Sequence, residues 1–329
     1  MRHFLCIIFL ISYSLFSRAQ AVWQNVDSLY GPLPASVHVY KTSSLLDGKP
    51  NIAYYLEADL KDKGLDFTVD TTFKRRLTPS GFYTKNESPL LVVNTTFFSF
   101  ATNQNLNVVI KNGKLVGYNI HTINGKGKDT LTYRHPLGSA IGISKKRFAD
   151  IAWLYTDSSH RYPYAYQAPV DIVRDSLPGF TKKSATTAIL KAVGDHQKIR
   201  LSFPVWKMKT AVGGGPVLLQ NGEIKITNNE ELKFAGKAIN DKHPRTAMGY
   251  TRDQKLIILV IGGRHPGTAE GATLVQEAQL LKELGCVEAL NLDGGGSSCM
   301  LVNGKPTIQV SDKEGQRPVP AVFLIRSKK

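Results

Sequence analysis

Read for its hydrophobic and polar positions, the chain shows short apolar runs of strand length rather than long helical periodicity. Val37-His38-Val39-Tyr40 and Ile52-Ala53-Tyr54-Tyr55-Leu56 predict early strands with a loop around Asp47-Gly48, whereas residues 61–88 are polar and poorly periodic. Pro89-Leu90-Leu91-Val92-Val93 reads as a buried strand that delivers Asn94-Thr95-Thr96-Phe97-Phe98 at its end. The signal weakens between residues 150 and 205: Val170–Val173 and Thr186–Ala192 are possible strands, Asp195-His196 reads as a turn, and four tyrosines (155, 162, 164, 166) suggest an aromatic loop.

Three pieces share one design, in which an apolar run meets Asn-Gly and a second run follows. They centre on Asn112-Gly113, Asn221-Gly222 and Asn303-Gly304. Both residues of a tight hairpin turn of this kind sit at positive φ, which Asn and Gly tolerate, so each piece predicts an antiparallel hairpin. Beyond Thr210 come a triple-glycine turn, Gly213-Gly214-Gly215, a strand from Ala247 to Thr251, and a continuous apolar strand from Leu256 to Ile261. Thr273 to Leu284 predicts a helix. Thr273 and Gln276 have capping-box spacing, Leu274, Ala278 and Leu281 share a face, and Gly285 supplies the stop. Strand, helix and then the strand Val287–Leu292 suggest a crossover with parallel strands. The fold class is therefore α+β: a mixed, largely antiparallel sheet with several Asn-Gly hairpins and one strand-helix-strand crossover near the C-terminus.

Composition changes this picture mainly at the N-terminus. Arg2 and His3 precede an apolar and small run from Phe4 to Phe16, with small residues at Ser17, Ala19 and Ala21, as in a secretory signal peptide over residues 1–19. That run is too short to span a bilayer, so the expectation is a secreted or periplasmic protein with no membrane span. The formal charge is +16, and about +14 without Arg2 and Arg18. The lysines are scattered without the basic-aromatic clustering of a nucleic-acid surface, so no nucleic acid partner is expected. Cys286 and Cys299 stand at opposite ends of a predicted strand, roughly 20 Å apart if extended, which favours two buried thiols over a disulfide. No Cys/His cluster has metal-ligand spacing, so no cofactor is expected, with a bound divalent cation left open.

The crossover carries the candidate chemistry. Two parallel strands ending at one sheet edge would gather Arg264, Glu270, the helix N-terminus at Thr273 and Asp293 around one space, where sheets of this kind place ligands. Arginine and helix amides suit an oxyanion, phosphate above all, and the Gly294, Gly295 and Gly296 amides could add donors. Asp293 and Glu270 could act as base, nucleophile or acid in glycosyl transfer to water. Each residue also has a plain structural reading: Arg264 as a surface ion pair, Glu270 as a solvated charge, Asp293 as a turn carboxylate, Asn94 as a turn residue.

Taken in order, Gly213-Gly214-Gly215-Pro216, His243-Pro244-Arg245-Thr246-Ala247, Gly263-Arg264, the helix with Leu274 and Ala278, and Asn291-Leu292-Asp293-Gly294-Gly295-Gly296-Ser297 resemble the phosphodiester glycosidase family over about residues 90–325. The resemblance implies catalytic roles for Asp293, Glu270 and Arg264, and substrate contacts from Asn94, Arg245, Asn291, Gly214, Gly215, the 294–296 glycines and Ser297. It implies a family domain over 89–329, with 20–88 an N-terminal elaboration packed on it. Two departures stand out: Thr95 replaces a usual glycine, and Gly262-Gly263 replaces the usual Asp-Gly before Arg264, so Glu270 becomes the stand-in for a missing carboxylate. The implied substrate is a glycan or sugar phosphate cleaved at a sugar-1-phosphodiester. The alternative is a non-catalytic envelope module that binds the same ligand.

Overall fold

The computed structural model describes residues 20–125, 130–169 and 205–328. The leader at 1–19, the possible strands at 170–173 and 186–192 and the turn at 195–196 lie outside the described residues.

Among the described residues, three larger sheets carry the fold. The eight-stranded sheet runs, edge to edge, Gln24–Asn25, Val37–Thr42, Ala53–Asp59, Lys255–Ile261, Arg245–Thr251, Cys286–Asn291, Val217–Gln220 and Glu223–Ile224. A six-stranded sheet is built on Gly138–Ser144, and a five-stranded sheet centres on Leu91–Asn94 and Ala321–Ser327. All three turn one face to a shared core: Leu56, Ile258 and Leu290 from the first, Ile141 and Val212 from the second, Val93 and Phe323 from the third. Strand Lys255–Ile261 shows why its sequence is an unbroken apolar run. Leu256, Ile258 and Val260 enter the shared core, while Ile257, Leu259 and Ile261 enter the core under the long helix, so both faces are buried.

The three Asn-Gly pieces are hairpins as the pattern predicts. Asn112, Asn221 and Asn303 stand at φ 51°, 55° and 48°, each followed by a positive-φ glycine. The helix Leu274–Glu283 starts at Thr273 with both arms of the capping box made, and Gly285 at φ 80° follows its end. Leu274, Ala278 and Leu281 are fully buried against the eight-stranded sheet.

The crossover differs in one respect from the expectation. Strands Lys255–Ile261 and Cys286–Asn291 are not neighbours: Arg245–Thr251 lies between them, antiparallel to both. Two strands antiparallel to a common partner are parallel to each other, so both still end at one edge, with Arg245 paired to Ile261 and Ala247 to Asn291. That inserted strand brings Thr246 and Arg245 into the site.

Residues 20–88 enter the fold as hydrogen-bonded strands. Ala53–Asp59 pairs along its whole length with Lys255–Ile261, and Leu65–Thr71 pairs with Ala321–Ser327. The polar stretch that showed no periodicity thus holds a strand, with Leu65, Phe67 and Val69 in the shared core, and the short helix Pro79–Lys85. Its buried Asp70 is bridged by Lys85 (2.7 Å) and Lys111 (2.8 Å). Burial alone would raise that carboxyl, but these donors and Asn86 outweigh it and hold it at about 2. Leu65, Phe67 and Val69 alternate with Asp66, Thr68 and Asp70, a period-2 pattern too short to stand out in the surrounding charged stretch. Cys286 and Cys299 are buried free thiols, as expected. No helix among the described residues is long and apolar enough to cross a membrane.

Candidate active site

Backbone hydrogen bonds shape the turn after Asn291 before any side chain acts. The Leu292 amide donates to the Thr246 carbonyl, Asp293 to Thr95 and Gly295 to Pro244, each at 2.8 Å. Asn94, fully buried, ties the turn from beneath: its Nδ2 donates to the Asp293 carbonyl at 2.6 Å, and its Oδ1 accepts from Thr246 Oγ1 and the Cys299 amide, both at 3.0 Å. A carboxylate at a strand end is thereby held from two segments distant in sequence, 94–95 and 244–246.

The glycines are bare for identifiable reasons. Gly295 sits at φ 60°, and a Cβ there would lie 3.0 Å from the Arg264 guanidinium. At Gly296 a Cβ would fall 2.2 Å from Arg317. Two guanidinium groups therefore rest directly on the turn that carries Asp293. Burial pushes the half-buried Asp293 carboxyl up to about 7, against the Ser297 hydroxyl, the charge of Arg317 and the Gly294 amide, which favour its ionised form.

Two buried oxygens around this turn have no hydrogen-bond partner: Thr95 Oγ1 and Asn291 Oδ1. Their residues are at most 1% exposed. Buried polar atoms are ordinarily paired, so two unpaired ones at the strand ends that support the turn set this region apart.

The remaining candidates divide into those that face this turn and those that brace it. Arg264 is exposed, at φ 65°, and lies 3.5 Å from His243 Nδ1. Burial, then Arg245 and Arg264, lower the His243 pKa and favour its neutral form. Arg245 is buried, and its Nε and one terminal nitrogen donate to the carbonyls of Ala272 (2.9 Å) and Asp241 (3.0 Å), with the Phe234 ring 5.8 Å away. It holds the wall together. Asn94 does the same through both ends of its amide. Asn291 stands between: its Nδ2 holds the Gly215 carbonyl at 2.8 Å while its Oδ1 is unpaired. At the helix entry, the Thr273 and Gln276 amides are taken by the capping box and the Ala272 amide by the His243 carbonyl.

Gly214 and Gly215 serve packing. The Gly215 amide donates to the Asn291 carbonyl at 2.7 Å, and a Cβ on Gly214 would lie 2.3 Å from that same oxygen. The Glu270 amide donates to the Pro50 carbonyl at 3.0 Å. The sequence reading missed Arg317, whose Nε donates to Asp312 at 2.6 Å and whose guanidinium lies 5.6 Å from the Phe100 ring centroid. Nothing in Gly315-Gln316-Arg317-Pro318 except its charge signals a role. No group of three metal-ligating side chains occurs among the described residues.

Residues 173–326 match the family model for phosphodiester glycosidases. Mouse N-acetylglucosamine-1-phosphodiester alpha-N-acetylglucosaminidase is 30% identical over 112 residues, covering 34% of this chain and 21% of that protein. The uncharacterized SPbeta prophage-derived protein YomE of Bacillus subtilis (strain 168) is 40% identical over 74 residues, 22% of this chain and 11% of that one. The chain thus spans about a fifth or less of the curated relatives it matches. The catalytic domain of the zebrafish N-acetylglucosamine-1-phosphodiester alpha-N-acetylglucosaminidase, in a structure auto-inhibited by its pro-peptide, aligns with a TM-score of 0.57 at 18% identity, covering 94% of this chain and 89% of that one. A hypothetical protein from Synechocystis aligns at 0.61 with 14% identity, covering 88% and 62%. At such identities the shared property is the fold.

Proposed function

From a chain whose residues 173–326 carry the phosphodiester glycosidase pattern, we propose that the protein is an exported hydrolase that cleaves sugar-1-phosphodiesters into a free sugar and a phosphomonoester. The observation that carries this reading is Asp293, a carboxyl held near neutral pKa on a glycine turn against which two guanidinium groups rest.

The chemistry follows from that placement. In the ionised form Asp293 takes a proton from a water as the water oxygen bonds to the anomeric carbon and the bond from that carbon to the phosphate oxygen breaks. The electron pair leaves with the phosphomonoester. Phosphate is a good leaving group, so charge stabilisation matters more than protonation, and Arg264 and Arg317 supply it. The Ser297 hydroxyl beside Asp293 favours its ionised form. Glu270 has no part in this scheme.

The test is a panel of sugar-1-phosphodiesters presented to the purified mature protein, with sugar and phosphate release measured separately. Hydrolysis that is lost in Asp293→Asn while ligand binding persists supports the enzyme reading. A panel left wholly intact removes it, and a variant that loses only affinity points to a binding module. Export is checked by sequencing the N-terminus of the protein recovered outside the cytoplasm.

A further inference from the structure

A second cavity, of about 240 Å³, lies behind the first triple-glycine turn. Its walls are largely apolar: Phe97, Leu106, Ile120, Ile123, Pro136 and Leu232. The polar groups that border it are mostly occupied elsewhere. Asn107 accepts from the Phe97 amide at 3.1 Å and donates to the Gly214 carbonyl at 3.2 Å. Asn119 accepts from the Val108 amide and donates to two carbonyls. Glu231 accepts from Ser139, Trp153, Thr227 and the Val217 amide, which leaves neither oxygen free.

Lys233 is the exception. Its ammonium lies 5.6 Å from the centroid of the Phe97 ring, and no carboxylate of the described residues comes within ion-pair distance of it. Burial lowers the Lys233 pKa and disfavours its ammonium form, and the charge of Glu231 opposes this only in part. The nearest carboxylate, Glu231, is already committed to four other donors, so an ammonium at this apolar wall gains from a further anion.

The cavity adjoins the candidate active site. Phe97 stands on the segment whose Asn94 and Thr95 hold the backbone of Asp293. On the other side Gly215, which is bonded to Asn291, would place a Cβ 2.4 Å from the Lys233 stem. We propose that this cavity is a specificity pocket for an apolar chain or ring ending in an anionic group, with Lys233 as the receptor for that group. That the moiety is carried by the substrate's leaving group rests on the function proposed above. Its size follows from the volume: a dry cavity of about 150 Å³ holds benzene, so this one takes a chain of about six carbons or a substituted ring.

The test uses hexanoate, hexan-1-ol and hexylamine with the full-length mature protein, read by calorimetry or ligand-observed NMR. Hexanoate is expected to bind saturably and at least tenfold more tightly than the alcohol or the amine. Lys233→Met and Lys233→Gln lose that preference yet still bind the alcohol, Ile120→Trp fills the cavity and excludes all three, and Asp293→Asn binds hexanoate like the parent. Hexanoate binding no better than the alcohol, or undiminished in both Lys233 variants, overturns the pocket. A kinetic arm separates the two readings. Phosphodiesters whose leaving group ends in an alkyl carboxylate should show a KM at least fivefold below that of the methyl ester. If nothing is hydrolysed but hexanoate binds at Lys233, the function falls and the pocket stands; if hydrolysis occurs without hexanoate binding, the reverse holds.

Discussion

The protein contains two triple-glycine turns, at 213–215 and 294–296, and they do different work. In the first, Gly214 lets a backbone carbonyl approach where a Cβ would stand at 2.3 Å, and Gly215 at φ 120° packs under Glu231 and Lys233. In the second, the space beside Gly295 and Gly296 is filled by the guanidinium groups of Arg264 and Arg317. Identical side-chain absence joins backbone to backbone in one turn and admits charge to a carboxylate in the other. A glycine run shows that something comes close; only the neighbours show what.

The largest expected effect falls on the second turn. Asp293→Asn should lower kcat by about 10³-fold, as loss of a general base does. In the parent enzyme, kcat/KM should rise with pH through about 7 as Asp293 ionises, and the variant should lose that limb. Activity within tenfold of the parent would make both turns structural.

Next comes the first turn, where Gly215→Ala forces a side chain onto a φ of 120° and into Glu231. A stability loss of about 3 kcal/mol in urea denaturation is expected, with the activity of the residual folded protein reduced little. Arg264→Ala should act on catalysis instead, lowering kcat/KM by about 10²-fold with the urea midpoint unmoved. Gly296→Ala sharpens the contrast. Its neighbour is the movable end of Arg317 and its φ is not positive, so stability should fall by only about 1 kcal/mol. Activity should fall with it, because the guanidinium must leave.

The smallest expected effect lies behind both turns. Glu277 is fully buried with both oxygens unpaired, and burial raises its carboxyl to about 8 despite the charge of Arg245. The folded state then keeps a proton that the unfolded chain releases near pH 4.5. Stability should therefore fall as pH rises from about 4.5 to about 8, and Asp293 contributes the same sign up to about 7. Glu277→Gln should flatten this slope by on the order of 1 kcal/mol between pH 5 and pH 8, measured by thermal unfolding. A variant with the parent's slope would show that Glu277 ionises freely in the fold.

Much of the architecture was legible in the chain because the deciding physics is local. Asn-Gly at a strand end closes a hairpin wherever it stands, since φ preference belongs to the residue. The capping box at Thr273 and Gln276 needs only three residues of spacing. The unbroken run Leu256–Ile261 announces burial on both faces. The strand Leu65–Thr71 escaped notice although Leu65, Phe67 and Val69 alternate with polar residues, because that short pattern is set in a charged stretch; only the burial of Asp70 depends on Lys85 and Lys111 from elsewhere.

The site was legible in its parts and not in its division of labour. Asp293, Ser297 and Arg264 were found from one turn and one strand end, and the structure brings them together. Arg317 was not, because its relation to Asp293 arises only when the loop before Ala321–Ser327 folds back over Gly296. Asn94 and Arg245 look like ligand contacts in the sequence, and the structure adds that Asn94 bonds the Asp293 carbonyl and the Thr246 hydroxyl while Arg245 bonds the Ala272 and Asp241 carbonyls. Local backbone preferences and apolar periodicity are written residue by residue, so the sequence alone determined the hairpins, the helix and the position of the carboxylate. Which polar atoms are left without partners, and which charges approach them, depends on contacts hundreds of residues apart along the chain, and only the tertiary structure decided that.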